Sequence, residues 1–482
     1  MKLLSNIKLK YLYIVLAVGF AIPSVGYLLI NKSAKNYADY FTFFLRKPES
    51  SAEAIAGAIL FILFIILLFV VYMLIIKKSN EEFKTVKQVF IIITVVSLIF
   101  MVILPFTSSD VYYYMTTGRM DAEYGVNPFY TTMKEVAPEY PEDEFLNIGH
   151  FWENLLVVYG PVWEIICKIL AMLSFGNVTI ALYLFKLLAV VVHMANCFLI
   201  YKTTRKKKFV LLYGLNPFIL FEMITNAHND IYMVFFMILA IYFLLRKKNI
   251  LLMTVFLALG AAIKYVAILL FPFLLLYYFR KEPISKRILK SIPYVLLFLG
   301  VWIVCYLPYA KDFQIFVNVF LQQNKYKESL ILITSLLLGE IGLNSLIGPM
   351  IPLFLIVAIF VCVFKGVKTL EQENLTIIKA VRNYSVVLVA FIIFGITNLC
   401  VWYLSWVLPV IFWLRGKNIK KWLYVQIFYE ISLAYNFILN SEDARIGILY
   451  IPTILAFYTI MEGIEYYKTR RKELGKQKIG IN

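Results

Sequence analysis

The chain has 482 residues, 62% hydrophobic and 16% charged, with a mean hydropathy of +0.80 and a formal net charge of +18. A soluble domain is about half apolar and about a quarter charged, so this apolar surplus excludes a single aqueous core. The basic excess does not point to nucleic acid: it falls in short clusters at the ends of apolar runs, as in the cytoplasmic loops of membrane proteins, with none of the aromatic interleaving of a single-strand binder. Those clusters are Lys77-Lys78, Arg205 to Lys208, Arg246 to Lys248, Arg280-Lys281, Lys286-Arg287, Lys420-Lys421 and Arg470 to Lys472.

A bilayer core of about 30 Å takes about 20 apolar residues per helix, and the apolar runs approach that length. Tyr11 to Ile30, preceded by Lys2, Lys8 and Lys10, is too long for a signal-peptide core and reads as a retained first span. With the amino terminus inside, spans are expected at 11–30, 53–76 and 88–105. Residues 106–177 then form an extracytoplasmic loop, whose stretch 106–154 carries nine acidic residues against two basic ones, Arg119 and Lys134. Pro161 to Ser174 is short, and Glu164 and Lys168 stand four apart on one face in the favourable order. It is expected to be an interfacial or re-entrant helix, because a span there would carry Arg205 to Lys208 outside. Further spans follow at 178–201, 209–225, 231–246, 249–263, 265–279, 291–308, 346–366, 383–400, 402–414, 422–438 and 446–466, with another short apolar piece at 329–338. The expected fold is therefore an all-α polytopic membrane protein of 12–14 transmembrane helices. Residues 1–482 form one integral membrane domain, with a basic cytoplasmic tail at 467–482.

All five cysteines lie in apolar segments without CxxC spacing, and there are three histidines in all. Neither a disulfide framework nor a zinc site is specified.

Polar groups collect at junctions that this topology places outside. Thr107 to Tyr114 brings Ser109 and Asp110 to a membrane boundary, where a carboxylate is expensive unless paired or useful. They could cap the next helix, or Asp110 could act as general base toward an acceptor hydroxyl. Asn226 to Asp230 joins two apolar runs. Asn229 or Asp230 could cap there, yet the stretch holds more polar groups than a turn needs, and His228, Asn229 and Asp230 are candidates for sugar binding. Lys264 is either a snorkelling lysine or a ligand for a lipid phosphate. Arg119, Lys325 and Lys327 are weaker candidates for that role. Asn398 to Trp406 presents Trp402 and Tyr403, which suit an aromatic belt or a surface that stacks on sugar rings.

At these residues the sequence resembles the polyprenol-phosphomannose-dependent alpha-mannosyltransferases of the GT-C superfamily. The likeness runs over roughly 88–414, in ordered blocks: Ser109-Asp110-Val111-Tyr112, with Gly118-Arg119 and Gly125 to Phe129; Tyr159 to Trp163; Asn216-Pro217, with His228-Asn229-Asp230; Lys264 with Pro272; and Trp402 to Pro409. The resemblance implies an extracytoplasmic active site, a sugar β-linked to polyprenyl phosphate as donor, a glycan or glycolipid of the cell envelope as acceptor, and inversion. It assigns Asp110 as base, and Tyr113 and Asn127 to the sugar or acceptor. Ser109 stands where a second acid is often found, so any partner acid comes from Asp121, Glu123 or Asp230, and a divalent cation is left open; no other cofactor is implied. Mannose itself is not carried over. The chain would sit in a bacterial plasma membrane with both termini cytoplasmic. The rival reading is a lipid-linked glycan flippase or transporter. Such proteins often show repeated halves and a midplane site, and the sequence has no evident repeat.

Overall fold

The computed structural model describes residues 8–30, 51–321, 330–396, 399–414, 419–420 and 422–427. Every regular element among them is a helix. Six helices are long and apolar enough to cross a membrane: Leu9–Gly26, Ile59–Lys77, Val178–Thr204, Ile284–Tyr306, Gly348–Leu370 and Ile377–Gly395. The bent pair Lys207–Gly214 and Pro217–Thr225, angled at 47°, adds a seventh if counted as one span. Apolar side chains face outward along them, as Leu289, Leu296 and Val304 do on Ile284–Tyr306, an arrangement suited to lipid. The chain is an all-α polytopic membrane protein. The span expected at 446–466, most of that at 422–438, the tail 467–482, and Lys325 and Lys327 lie outside the described residues.

Several expected spans are not single α-helices, and two of these departures bear on the site. The 209–225 run breaks at Asn216-Pro217: Asn216 Oδ1 accepts from the Phe218 amide at 3.1 Å, and proline begins the new turn because it has no amide to donate. The segment continues as a π-helical turn, Leu220–Thr225, a form often met at functional sites. A break inside a membrane needs partners for the freed carbonyls, and the neighbouring elements supply them. The Tyr13 and Tyr72 hydroxyls donate to the Leu215 and Leu212 carbonyls, each at 2.6 Å. The fully buried Lys186 donates to Thr225 O at 2.9 Å and also to Ile103 O. The second correction concerns 402–414, which forms two short 3₁₀ helices, Val401–Val407 and Ile411–Trp413. Pro409 interrupts the stretch, and its aromatic side chains are held by polar partners across the bundle, so it packs inward.

The 106–177 region folds as a compact layer. Its main elements are the helices Asp110–Glu123 and Pro161–Leu173, with the short helices Met133–Val136 and Glu144–Ile148 beside them. A Cβ on Gly118 would stand 2.4 Å from the Cys167 carbonyl oxygen, so glycine sets how closely the two main helices approach. Trp163, fully buried, meets Tyr114 edge-on at 5.0 Å and Tyr232 at 4.8 Å. The expected Glu164–Lys168 pair does not form. Lys168 reaches Asp121 at 2.8 Å, while Glu164 points inward and accepts from Thr117 Oγ1 at 3.2 Å. Burial, reinforced by the nearby Asp121 charge, pushes the Glu164 carboxyl up to about 8.

The layer is locked to the bundle at Gly160. Its amide donates to Ile263 O at 2.9 Å, and the Val162 amide donates to Ala262 O at 3.1 Å. This brings Tyr159 and Lys264 to one place. A Cβ on Gly160 would lie 2.1 Å from Ala262 O, inside any allowed contact. Gly160→Ala is therefore expected to destabilise by about 1–3 kcal/mol, as overpacking does, and by more than Gly26→Ala, where nothing lies within 4 Å. Thermal unfolding of both purified variants checks this.

Candidate active site

The polar groups converge where the broken helices meet the 106–177 layer. Asp110 and Asp230 each occupy the first residue of a helix, Asp110–Glu123 and Asp230–Tyr242. The helix dipole there favours a carboxylate by roughly 0.3–1 kcal/mol, and more where it is partly buried. Neither junction is explained by capping. Ser109 makes no side-chain cap and instead accepts from Trp152 Nε1 at 3.2 Å. Asn229 makes no cap either, and both polar atoms of its fully buried amide are without a partner among the described residues. Ala227, between Asn226 and His228, is held at φ 54, a left-handed conformation that persists only where surrounding contacts enforce it.

Asp110 is 6% exposed. Among the described residues all its carboxylate contacts fall on Oδ2: the Tyr159 hydroxyl at 3.2 Å, the Tyr114 hydroxyl at 3.3 Å, and His228 Nδ1 at 3.5 Å. Burial works against its ionisation. The close His228 charge, helped by Lys264 and the Tyr159 hydroxyl, outweighs this and holds the carboxyl below its ordinary value. Asp110 is thus a carboxylate at neutral pH, anchored through one oxygen.

Lys264 does not snorkel. It is 9% exposed, its Nζ stands 2.7 Å from Asp230 Oδ2, and it lies 5.2 Å from the ring centroids of both Tyr159 and Tyr403. The other Asp230 oxygen accepts from Trp406 Nε1. Trp402 stacks on His228 at 3.8 Å, and Tyr403 stacks on Trp406 at 4.3 Å. The aromatic residues of 401–407 therefore line the charged cluster, whereas a membrane belt would face lipid.

Seven of the ten residues anticipated at the site share this place: Asp110, His228, Asn229, Asp230, Lys264, Trp402 and Tyr403. Tyr113 lies one layer out, its hydroxyl on Leu156 O at 3.0 Å and its ring 6.1 Å from Tyr159. Arg119 is elsewhere, engaged by Asp143 at 3.2 Å and Glu123 at 3.1 Å. Asn127 donates to Tyr309 O at 2.7 Å and serves a loop. Asp121 pairs with Lys168, so of the three acids considered as partners of Asp110, only Asp230 reaches the cluster. Asn398 lies outside the described residues. Glu222 is a further buried acid at the site, 3.3 Å from His228 Nε2. Its signal was present in the sequence as a carboxylate inside the apolar run 209–225. Tyr114, Tyr159 and Trp406 are ordinary as residue types, and only their contacts single them out. Among the described residues no three His, Cys, Asp or Glu side chains form a group that could hold a metal ion.

The buried Lys264–Asp230 pair makes a testable demand. Removing one partner strands the other charge, at a cost of about 3–5 kcal/mol. Lys264→Met is expected to lower thermal stability sharply, and Lys264→Met with Asp230→Asn to recover most of it. Melting curves of the two variants in one detergent measure the difference.

Residues 14–280 match the family described as alpha-(1->6)-mannopyranosyltransferase, N-terminal domain. No curated protein and no solved structure matches the chain. The match takes in Asp110, Glu222, His228, Asn229, Asp230 and Lys264, while Trp402, Tyr403 and Trp406 lie beyond it. The chain belongs to this mannosyltransferase family and is a multi-pass membrane glycosyltransferase.

Proposed function

We propose that the chain transfers a hexose, mannose by family, from a polyprenyl-phosphate donor to a cell-envelope glycan or glycolipid on the extracytoplasmic face of a bacterial plasma membrane, with inversion and with Asp110 as base. One observation carries this reading: an ionised, buried carboxylate is anchored through Oδ2 alone, beside a buried lysine and stacked aromatic rings.

Oδ1 of Asp110 is the atom positioned to take a proton. As the acceptor hydroxyl attacks the anomeric carbon, its oxygen becomes acidic and the proton passes to Asp110. The bond from that carbon to the phosphate oxygen breaks, and its electron pair leaves with the lipid phosphate. A β-linked donor gives an α-linked product. The Lys264 ammonium has three donors, and one is directed to Asp230. The other two serve the departing phosphate, whose growing charge is stabilised most strongly where water is excluded. Trp402 and Tyr403 supply faces for sugar rings, and the unpaired amide of Asn229 supplies a donor and an acceptor for hydroxyls. The energy comes from the sugar–phosphate bond of the donor, so no nucleotide is needed, and the sequence has no Gly-rich phosphate loop.

The test is transfer by purified protein in nanodiscs, offered polyprenyl-phosphate mannose or glucose and mixed glycan acceptors, with and without a chelator to determine any need for a divalent cation. Asp110→Asn is expected to reduce transfer by about 10²–10⁴-fold, the range for a lost general base, with its melting curve still cooperative. A folded Asp110→Asn protein at full rate would remove the base. Flux of labelled lipid-linked glycan in proteoliposomes without transfer would favour the flippase.

A further inference from the structure

We propose that Glu222 is a positioning residue of this site, holding His228 as an imidazolium so that Asp110 stays charged and fixed while the sugar moves. The inference rests on the reading of Asp110 as base.

Glu222 is 1% exposed and sits in the π-helical turn Leu220–Thr225. Its Oε1 accepts from Thr107 Oγ1 at 3.4 Å and its Oε2 from Asn226 Nδ2 at 3.2 Å. His228 lies between two acids, Nε2 at 3.3 Å from Glu222 Oε2 and Nδ1 at 3.5 Å from Asp110 Oδ2. The ring has little freedom: it is fully buried, Trp402 stacks on one face at 3.8 Å, and its backbone amide donates to the Glu222 carbonyl at 3.2 Å.

Neither ring nitrogen makes a well-aligned hydrogen bond among the described residues, so its contacts with the two acids are contacts of charge. A neutral imidazole has one N–H and one lone pair and would turn that lone pair toward a carboxylate; only the imidazolium is attracted by both acids. The charged groups facing His228 are Asp110, from the Asp110–Glu123 helix, and Glu222, from the π turn. The Trp402 ring is uncharged. Behind Asp110 stand Tyr114, Tyr159 and Lys264; behind Glu222 stand the neutral Thr107 and Asn226. Burial opposes the imidazolium, but the two carboxylates prevail and raise His228 to about 9. The sign follows: this pairing stabilises the fold fully below the ordinary histidine range and is lost as pH rises through about 9. Without Glu222 one counter-charge is gone. The ring would then lose its proton at lower pH, and Asp110 would lose a cation just as an anionic donor arrives.

The chain has only His150, His193 and His228, so imidazole NMR on histidine-labelled protein is tractable, with His228→Asn assigning the signal. Wild-type His228 is expected to remain protonated at pH 8 and to titrate near 9. In Glu222→Gln the titration should fall by at least about one pH unit, tenfold in proton affinity. The alkaline limb of the transfer rate should fall with it, and Glu222→Asp should return both toward wild type. A neutral His228 at pH 7.5 in the wild type overturns the proposal whether or not a variant folds. So does a folded Glu222→Gln whose titration is unmoved, or whose rate drops equally at every pH. If the wild type titrates as described but transfers no sugar from a lipid phosphate, the reading of the reaction fails and the pairing of Glu222 with His228 stands.

Discussion

A charge removed from water must find its opposite nearby, and the junction between the 106–177 layer and the helix bundle is organised by that requirement. Asp110, Asp230, Glu222, His228 and Lys264 are all nine-tenths buried or more, and each meets a group of opposite charge or an oriented donor. Removing an isolated ion from water costs far more than any single contact returns. Five such groups therefore persist together only if separate pieces of backbone are held in register. The Gly160–Ala262 contact, the break at Asn216-Pro217 and the inward fold of 401–413 are the devices that hold them. Each gives up regular helix to bring one or more of these groups into the cluster.

The same requirement divides labour among the groups. Lys264 and Asp230 neutralise one another, and Trp406 anchors the second oxygen of Asp230. Asp110 is tied by phenols and an imidazole through one oxygen, which fixes its direction and leaves the other oxygen for chemistry. Such an arrangement suits a carboxylate that must accept a proton and release it again. Loop carboxylates such as Asp143, held by Arg119 and Tyr124, serve the layer's own folding.

Much of this was legible in the sequence, for physical reasons. Apolar runs near bilayer length declare a polytopic helical protein, and an acid or lysine at the end of such a run declares that something must pair with it. Asp110, Asp230 and Lys264 were found that way. Pairing itself was not legible, because it depends on which helices are neighbours: Glu164 and Lys168 are four apart in sequence, yet they turn to different partners. Arg119 and Asn127 sit in motif-like blocks but serve loop structure. Glu222 was hidden by its apolar surroundings, although that setting marks a buried carboxylate as significant. The span expected at 402–414 was misread because apolarity alone does not distinguish a lipid-facing helix from a buried 3₁₀ stretch carrying site residues.

The anomeric configuration of the product tests the account most directly. With a donor β-linked to polyprenyl phosphate, NMR of the glycan formed by wild-type protein should show only an α linkage if, as proposed, Asp110 is the base of a single displacement. A β linkage would mean retention, by a double or a front-face displacement, which would contradict the role given to Asp110 and to the cluster built around it.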